Sequence, residues 1–124
     1  AHIKALNTGH DGSLSTGHAN SPKDMLSRLE SMVLMGMDLP LGAVQRQIAS
    51  GIDIIVHLGR LRDKSRKVLE VSEILDYQDG EILVSPLYRF EETGEKDGKI
   101  QGTWRKMDDL VHTQKLLAAG YKEV

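Results

Sequence analysis

Gln78-Asp79-Gly80 lies between two runs of aliphatic and β-branched residues, and it constrains this chain more than any other short stretch. An Asp-Gly pair tolerates positive φ at both central positions of a two-residue turn, which suits the twist of antiparallel strands. The flanking runs, Lys67 to Leu75 and Glu81 to Phe90, therefore read as the two strands of a hairpin. Thr93 to Gly98 reads as another turn and Lys99 to Trp104 as a third strand. Pro86 falls inside the second strand and has no N–H for a ladder, so a sheet edge or a bulge is expected there. Asp108 or Asp109 can cap a last helix that runs to Ala119, with Gly120 as its stop. The second half is thus expected to be an antiparallel meander with a terminal helix.

The first half follows a different period. Ser21 suits an N-cap, Pro22 the first helical position and Asp24 the acid of a capping box. Met25, Leu26, Leu29, Met32 and Val33 then fall on one helical face, and Gly36 can stop the helix. The methionines Met25, Met32, Met35 and Met37 are expected in the core rather than in a partner groove. Asp38-Leu39-Pro40 opens a second helix, lined by Leu41, Val44 and Ile48 and ended by Gly51. Ile52 to Leu58 is nearly continuous in aliphatic residues, as in a strand buried on both faces of a parallel sheet, with His57 a satisfied core histidine. Upstream, Gly9-His10-Asp11-Gly12 is a turn and Ser13 to His18 a short strand. Two helices between two strands make the fold class α/β. The expected division is residues 1–59 for that α/β part and 60–124 for the meander and helix that complete the same domain.

Composition narrows the function classes. A length of 124 residues is one domain or a piece of one. Aromatic residues are only 4%, so the core must be aliphatic. Sixteen Lys and Arg against eighteen Asp and Glu leave a net charge of −2, which argues against a nucleic-acid binder. The absence of cysteine excludes disulfides, thiolate metal sites and Cys nucleophiles. Met32–Met35 and Ile54–Val56 are too short to cross a bilayer, and no secretory leader pattern opens the chain, so a cytoplasmic location is expected.

Chemistry-bearing residues concentrate in Asn7 to Pro22. From a strand, Thr16 and His18 point the same way, and a hydroxyl beside an imidazole can meet a phosphate or orient a water. The same residues suit a polar loop whose histidines bond the backbone. A metal hydrolase built on His10 and His18 is weak, since no H-x-x-x-H or H-E-x-x-H spacing occurs, and no metal site is expected. Arg60, Arg62, Lys64, Arg66 and Lys67 form a basic cluster broken by Asp63. It reads either as a subunit-interface patch near a neighbour's nucleotide or an acidic partner, or as a solvated turn. His112 is expected to be exposed on the last helix.

Asn7-Thr-Gly-His-Asp-Gly-Ser-Leu-Ser-Thr-x-His-Ala-Asn-Ser-Pro resembles the histidine box of the type II/IV secretion ATPase superfamily. Its wording is that of the CpaF-like branch, which serves tight-adherence (Flp) pilus assembly. The resemblance continues through Asp24-Met-Leu-Ser-Arg-Leu-Glu, Leu39-Pro-Leu, Gln47-Ile-Ala-Ser-Gly-Ile-Asp and Arg60-Leu-Arg-Asp-Lys-Ser-Arg. Gly17 stands where many relatives have a larger apolar residue. No G-x-x-x-x-G-K-[ST] loop occurs in the chain. The resemblance therefore implies the C-terminal part of a RecA-like P-loop ATPase domain, without its P-loop or Walker B acid. It implies that His18 senses the γ-phosphate or orients the attacking water, that Thr16 supports it and that His10 sits close by. It implies ATP and magnesium in a longer parent, with neither held tightly by this chain and no activity in it alone. It further implies a hexameric parent at the inner face of the cell membrane, acting with inner-membrane platform proteins. In RecA-like folds the P-loop strand separates the strand of Ser13–His18 from that of Ile52–Leu58. Alone, the chain is expected to fill that gap as a dimer or higher oligomer, or by pairing those strands directly. The competing reading is a non-enzymatic interaction module with the same fold.

Overall fold

The structure, a computed structural model, describes residues 16–36 and 38–122. Helices α1 (Pro22–Gly36) and α2 (Leu41–Gly51) come first. Strands β1 (Ile54–Arg60), β2 (Arg66–Gln78), β3 (Glu81–Lys96) and β4 (Lys99–Lys106) follow, and a short helix α3 (Gln114–Ala118) comes last. The strands form one sheet in the order β1-β2-β3-β4. Their connections are too short for crossovers, so the sheet is an antiparallel meander. The chain divides into two compact units, residues 1–55 with 74–84 and residues 56–73 with 85–124.

In the first unit, α1 begins where its cap dictates. The Asp24 N–H donates to Ser21 Oγ at 3.0 Å, and the Asp24 carboxylate accepts the Asn20 N–H at 3.0 Å. Each side chain thus satisfies a backbone group that the first turn leaves over. Leu26, Val44, Ile48, Ile74 and Ile82 form the core, with Leu29, Val33, Leu39, Ile52 and Tyr77 packed against it. Gln45, itself buried, donates to Glu30 at 3.3 Å and ties α2 to α1. The expected core methionines do not all go inside. Met32 is 66% and Met35 88% exposed. Each helical residue turns about 100°. The buried seam runs through Leu26, Leu29 and Val33, which puts Met32 to one side and Met35 behind. Leu41 is likewise exposed. Met37 lies outside the described residues.

Two strand expectations change. Thr16 to His18 has no regular structure, and Ser13 to Ser15 lie outside the described residues. β1 is an edge strand rather than one buried on both faces: exposed and half-buried residues alternate along it. The chain returns antiparallel through residues 61–65, so β1 gains a neighbour on one side only. Ile54, Val56 and Leu58 stay exposed, and His57 is half-buried.

In the second unit, Asp97 and Gly98 close the β3–β4 turn with φ of 53° and 76°, as Asp79 and Gly80 close β2–β3 with 52° and 81°. β3 therefore runs on through residues read as a turn, and a bulge between Glu92 and Gly94 absorbs the irregularity. Pro86 sits in an interior strand, but β4 ends opposite it. The last Cα pair is Tyr88 with Lys106, and the Met107 N–H donates to Leu87 O at 2.7 Å. Proline thus occupies a local edge.

Phe90 faces Trp104 across β3–β4, with centroids 5.5 Å apart, and the indole N–H donates to Val68 O at 2.7 Å. The last helix is shorter than expected. Thr113, not Asp108 or Asp109, stands at its N-cap, and His112 precedes it. Asp109 is drawn instead to Lys106 at 2.7 Å, and the N–H groups of Val111 and His112 are held by Glu73 in β2. The stretch is thereby pinned out of helical geometry.

Gly102 packs under the Phe90 ring. A Cβ there would lie 2.4 Å from both Glu91 O and Phe90 Cζ. The carbonyl belongs to the backbone and cannot swing away, so Gly102→Ala should cost on the order of 1–3 kcal/mol in urea unfolding, the scale of overpacking. A change within a few tenths of a kcal/mol would mean that β3 and β4 are less closely apposed than described.

Candidate functional site

The polar stretch that ends at Pro22 divides into two jobs. Asn20 and Ser21 belong to the cap of α1. Thr16 and His18 are exposed and precede that cap directly. Gly17 between them lies against Met25: a Cβ there would come within 2.5 Å of the Met25 terminal methyl. Met25 thus fills the space that a larger residue would take. His10 lies outside the described residues. The N-terminus of α1 has two of its first N–H groups already taken. Ser21 takes the N–H groups of both Asp24 and Met25, and the Asp24 carboxylate lies beside them. Thr16 and His18 remain as an exposed hydroxyl and imidazole just ahead of the helix. Both can donate to phosphate oxygens, and the imidazole can hold or pass a proton.

The basic cluster belongs to the second unit. Arg62 forks onto Glu92: Nη1 reaches Oε2 at 2.6 Å and Nη2 engages Oε1, with Glu95 at 3.7 Å. The hydrogen bonds hold the Glu92 carboxyl below the usual carboxylate range and push Arg62 higher still. A bidentate pair has a fixed geometry, though exposure keeps its contribution small. Arg62 therefore serves the meander, whereas Arg60, Lys64 and Arg66 are exposed and pair with no described carboxylate. Lys64 sits in the left-handed region at φ 69° inside the loop.

Asp63 organises that loop. Its carboxylate accepts the Ser65 N–H at 2.9 Å, the Ser65 hydroxyl at 2.5 Å and the Ile100 N–H at 2.8 Å. Ile100 is one residue past the pair that closes the β3–β4 turn, so its N–H points away from β3. Asp63 thus covers part of the open edge of β4. The Ile100 N–H, then the Ser65 hydroxyl and N–H, lower its pKa to about 2.

The sequence reading missed Glu73, which is 1% exposed and holds two backbone N–H groups. Its signal was a charge among apolar and small residues, Val71-Ser72-Glu73-Ile74, in mid-strand. Among the described residues no three His, Asp or Glu side chains converge on a metal position. A shallow depression on α1, lined by Ser27, Arg28, Ser31 and Met32, brings no acid–base pair together.

Residues 1–113 match the family described as type II/IV secretion system protein. Over 80 residues the chain is 32% identical to a Mycobacterium tuberculosis protein named for conjugal transfer, covering 64% of this chain and 22% of that protein. Over 77 residues it is 35% identical to the conjugal transfer protein TrbB of Rhizobium radiobacter, covering 62% and 23%. The match thus spans less than a quarter of the length of these curated relatives. No helix of the described residues is long and apolar enough to cross a membrane.

The lowered pKa of Asp63 gives a pH dependence of known sign. Its folded value lies below its ordinary 3.8, so the charged carboxylate stabilises the fold above 3.8. That contribution is lost as pH falls through about 2. Asp63→Asn should remove this part of the acid sensitivity, giving a flatter stability curve between those values. Identical slopes for variant and wild type would show that Asp63 does not hold the three hydrogens.

Proposed function

Because the chain belongs to the type II/IV secretion system protein family, we propose that it is the C-terminal part of that family's ATPase domain. It works within a longer protein that hydrolyses ATP to drive export or assembly. The observation that carries this reading is the family match over residues 1–113, with Thr16 and His18 exposed just before the capped start of α1. ATP with magnesium, bound through a phosphate loop upstream of these residues, supplies the phosphoryl group. On this chain the His18 imidazole orients or accepts a proton from the attacking water, the Thr16 hydroxyl donates to a phosphate oxygen, and His10 assists. Phosphoryl transfer depends mainly on positioning and electrostatics, and a histidine brought to the phosphates serves both.

Arg60 is the better candidate of the two arginines for a neighbour's nucleotide, since Arg62 is already forked on Glu92. The parent assembles as a hexamer and works at the inner face of the cell membrane with platform proteins. The wording of the histidine box favours the pilus-assembly, CpaF-like branch. The relatives named for conjugal transfer share the family and leave the branch to genetic context.

In the longer protein, His18→Ala should lower ATP turnover by about 10²-fold, the low end for a positioned acid–base group, while thermal unfolding stays unchanged. The 124-residue chain alone should show no magnesium-dependent turnover. Full turnover in His18→Ala would reduce the box to a helix cap, and turnover by the chain alone would overturn the dependence on an upstream phosphate loop.

A further inference from the structure

The backbone meets the first turn of α1 on both sides of His18. After it, the Asn20 N–H donates to the Asp24 carboxylate at 3.0 Å. Before it, Gly17 lies against Met25. A Cβ on Gly17 would stand 2.5 Å from Met25 Cε and 3.2 Å from Met25 Sδ, with no other described residue beyond its chain neighbours within 4 Å. Asp24 and Met25 are consecutive, and Ser21 seats both. The Asp24 N–H donates to Ser21 Oγ and the Met25 N–H to Ser21 O, each at 3.0 Å. One helical turn therefore meets the chain ahead of His18 and behind it.

The two meetings differ in kind. The Asp24 bond belongs to the helix cap. The Met25 contact sets an apolar side chain on a residue that has none, and it satisfies no backbone group. Nor does core packing account for it. The core of this unit is built on Leu26, with Leu29 and Val33 against it, and Met25 is not among those residues. Its half-buried side chain takes the opposite course, toward the segment that carries Thr16 and His18. An unbranched thioether fills an irregular gap of this sort well. A bare backbone at Gly17 gives it the room.

We propose that Met25 is a positioning residue for His18. By packing on Gly17 it sets the path of residues 16–18 into the helix, and with it the place from which the imidazole and the Thr16 hydroxyl reach a phosphate. The catalytic consequence rests on the ATPase reading above, whereas the packing itself rests on the fold.

Two measurements test it. In the 124-residue chain, amide-nitrogen relaxation reads the order of the segment. Met25→Ala should lower the order parameters of the Gly17, His18 and Ala19 amides, with those of Leu29 and Val44 unchanged. Met25→Leu, close in volume, should keep all of them at wild-type values. In the longer protein, Met25→Ala should lower kcat for ATP roughly tenfold, since small misplacements of a reacting group are costly, with KM within about twofold of wild type. Met25→Leu should restore kcat to within about threefold, and Gly17→Leu joined to Met25→Ala should recover part of the loss by refilling the gap from the other side. Unchanged order at His18 in Met25→Ala would overturn the proposal. So would a loss that falls on KM alone, a loss that Met25→Leu does not restore, or full turnover in Met25→Ala where His18→Ala is impaired. Full turnover in His18→Ala, with order still lost in Met25→Ala, would instead overturn the ATPase reading and the positioning role with it, and leave the packing alone standing.

Discussion

Every backbone N–H that a helix or a ladder leaves over must find an acceptor, and in this protein carboxylates supply much of the need. Asp24 takes the Asn20 N–H before α1, Asp63 takes those of Ser65 and Ile100, and Glu73 takes those of Val111 and His112. Asn20, Ser65 and the Val111–His112 stretch lie where regular structure stops: before a helix, in a hairpin loop and past the exit from the sheet. A chain with one Trp and one Phe has little aromatic surface with which to fix its ends by packing. Charge-assisted bonds to backbone amides do that work here, and each is roughly twice as strong as a neutral one.

The same accounting sorts the candidate site. Residues that look alike as polar side chains part company once their partners are known. Ser21 and Asn20 are committed to the helix start, whereas Thr16 and His18 are exposed. Arg62 is committed to Glu92 and Glu95, which leaves Arg60, Lys64 and Arg66 without a described acid. An exposed side chain with no internal partner can turn to an external one without breaking anything first. Freedom of this kind, more than residue type, separates available positions from structurally committed ones in both units.

Much of the fold was legible because local rules decided it. The cap at Ser21-Pro22-Asp24 and the Asp79-Gly80 turn were readable since each depends on neighbours in sequence. The exposure of Met32 and Met35 was not readable, because helical spacing says which residues share a face and not how wide a seam its neighbour covers. Nor was β1 as an edge. An aliphatic run records that something apolar can pack on a strand, and the strand's place in the sheet depends on pairing partners far along the chain.

What the sequence determined by itself is the order of elements from α1 to α3, the aliphatic core, the capped start of α1 and the family, carried by the box from Asn7 to Pro22. Tertiary structure alone decided which charges stay available. Arg62 meets Glu92 from 30 residues away, Asp63 meets Ile100 from 37 and Glu73 meets His112 from 39. Contacts at such separations arise only when the meander brings distant strands together. No periodicity, propensity or short motif encodes them, because the geometry that creates them does not exist until the sheet has formed.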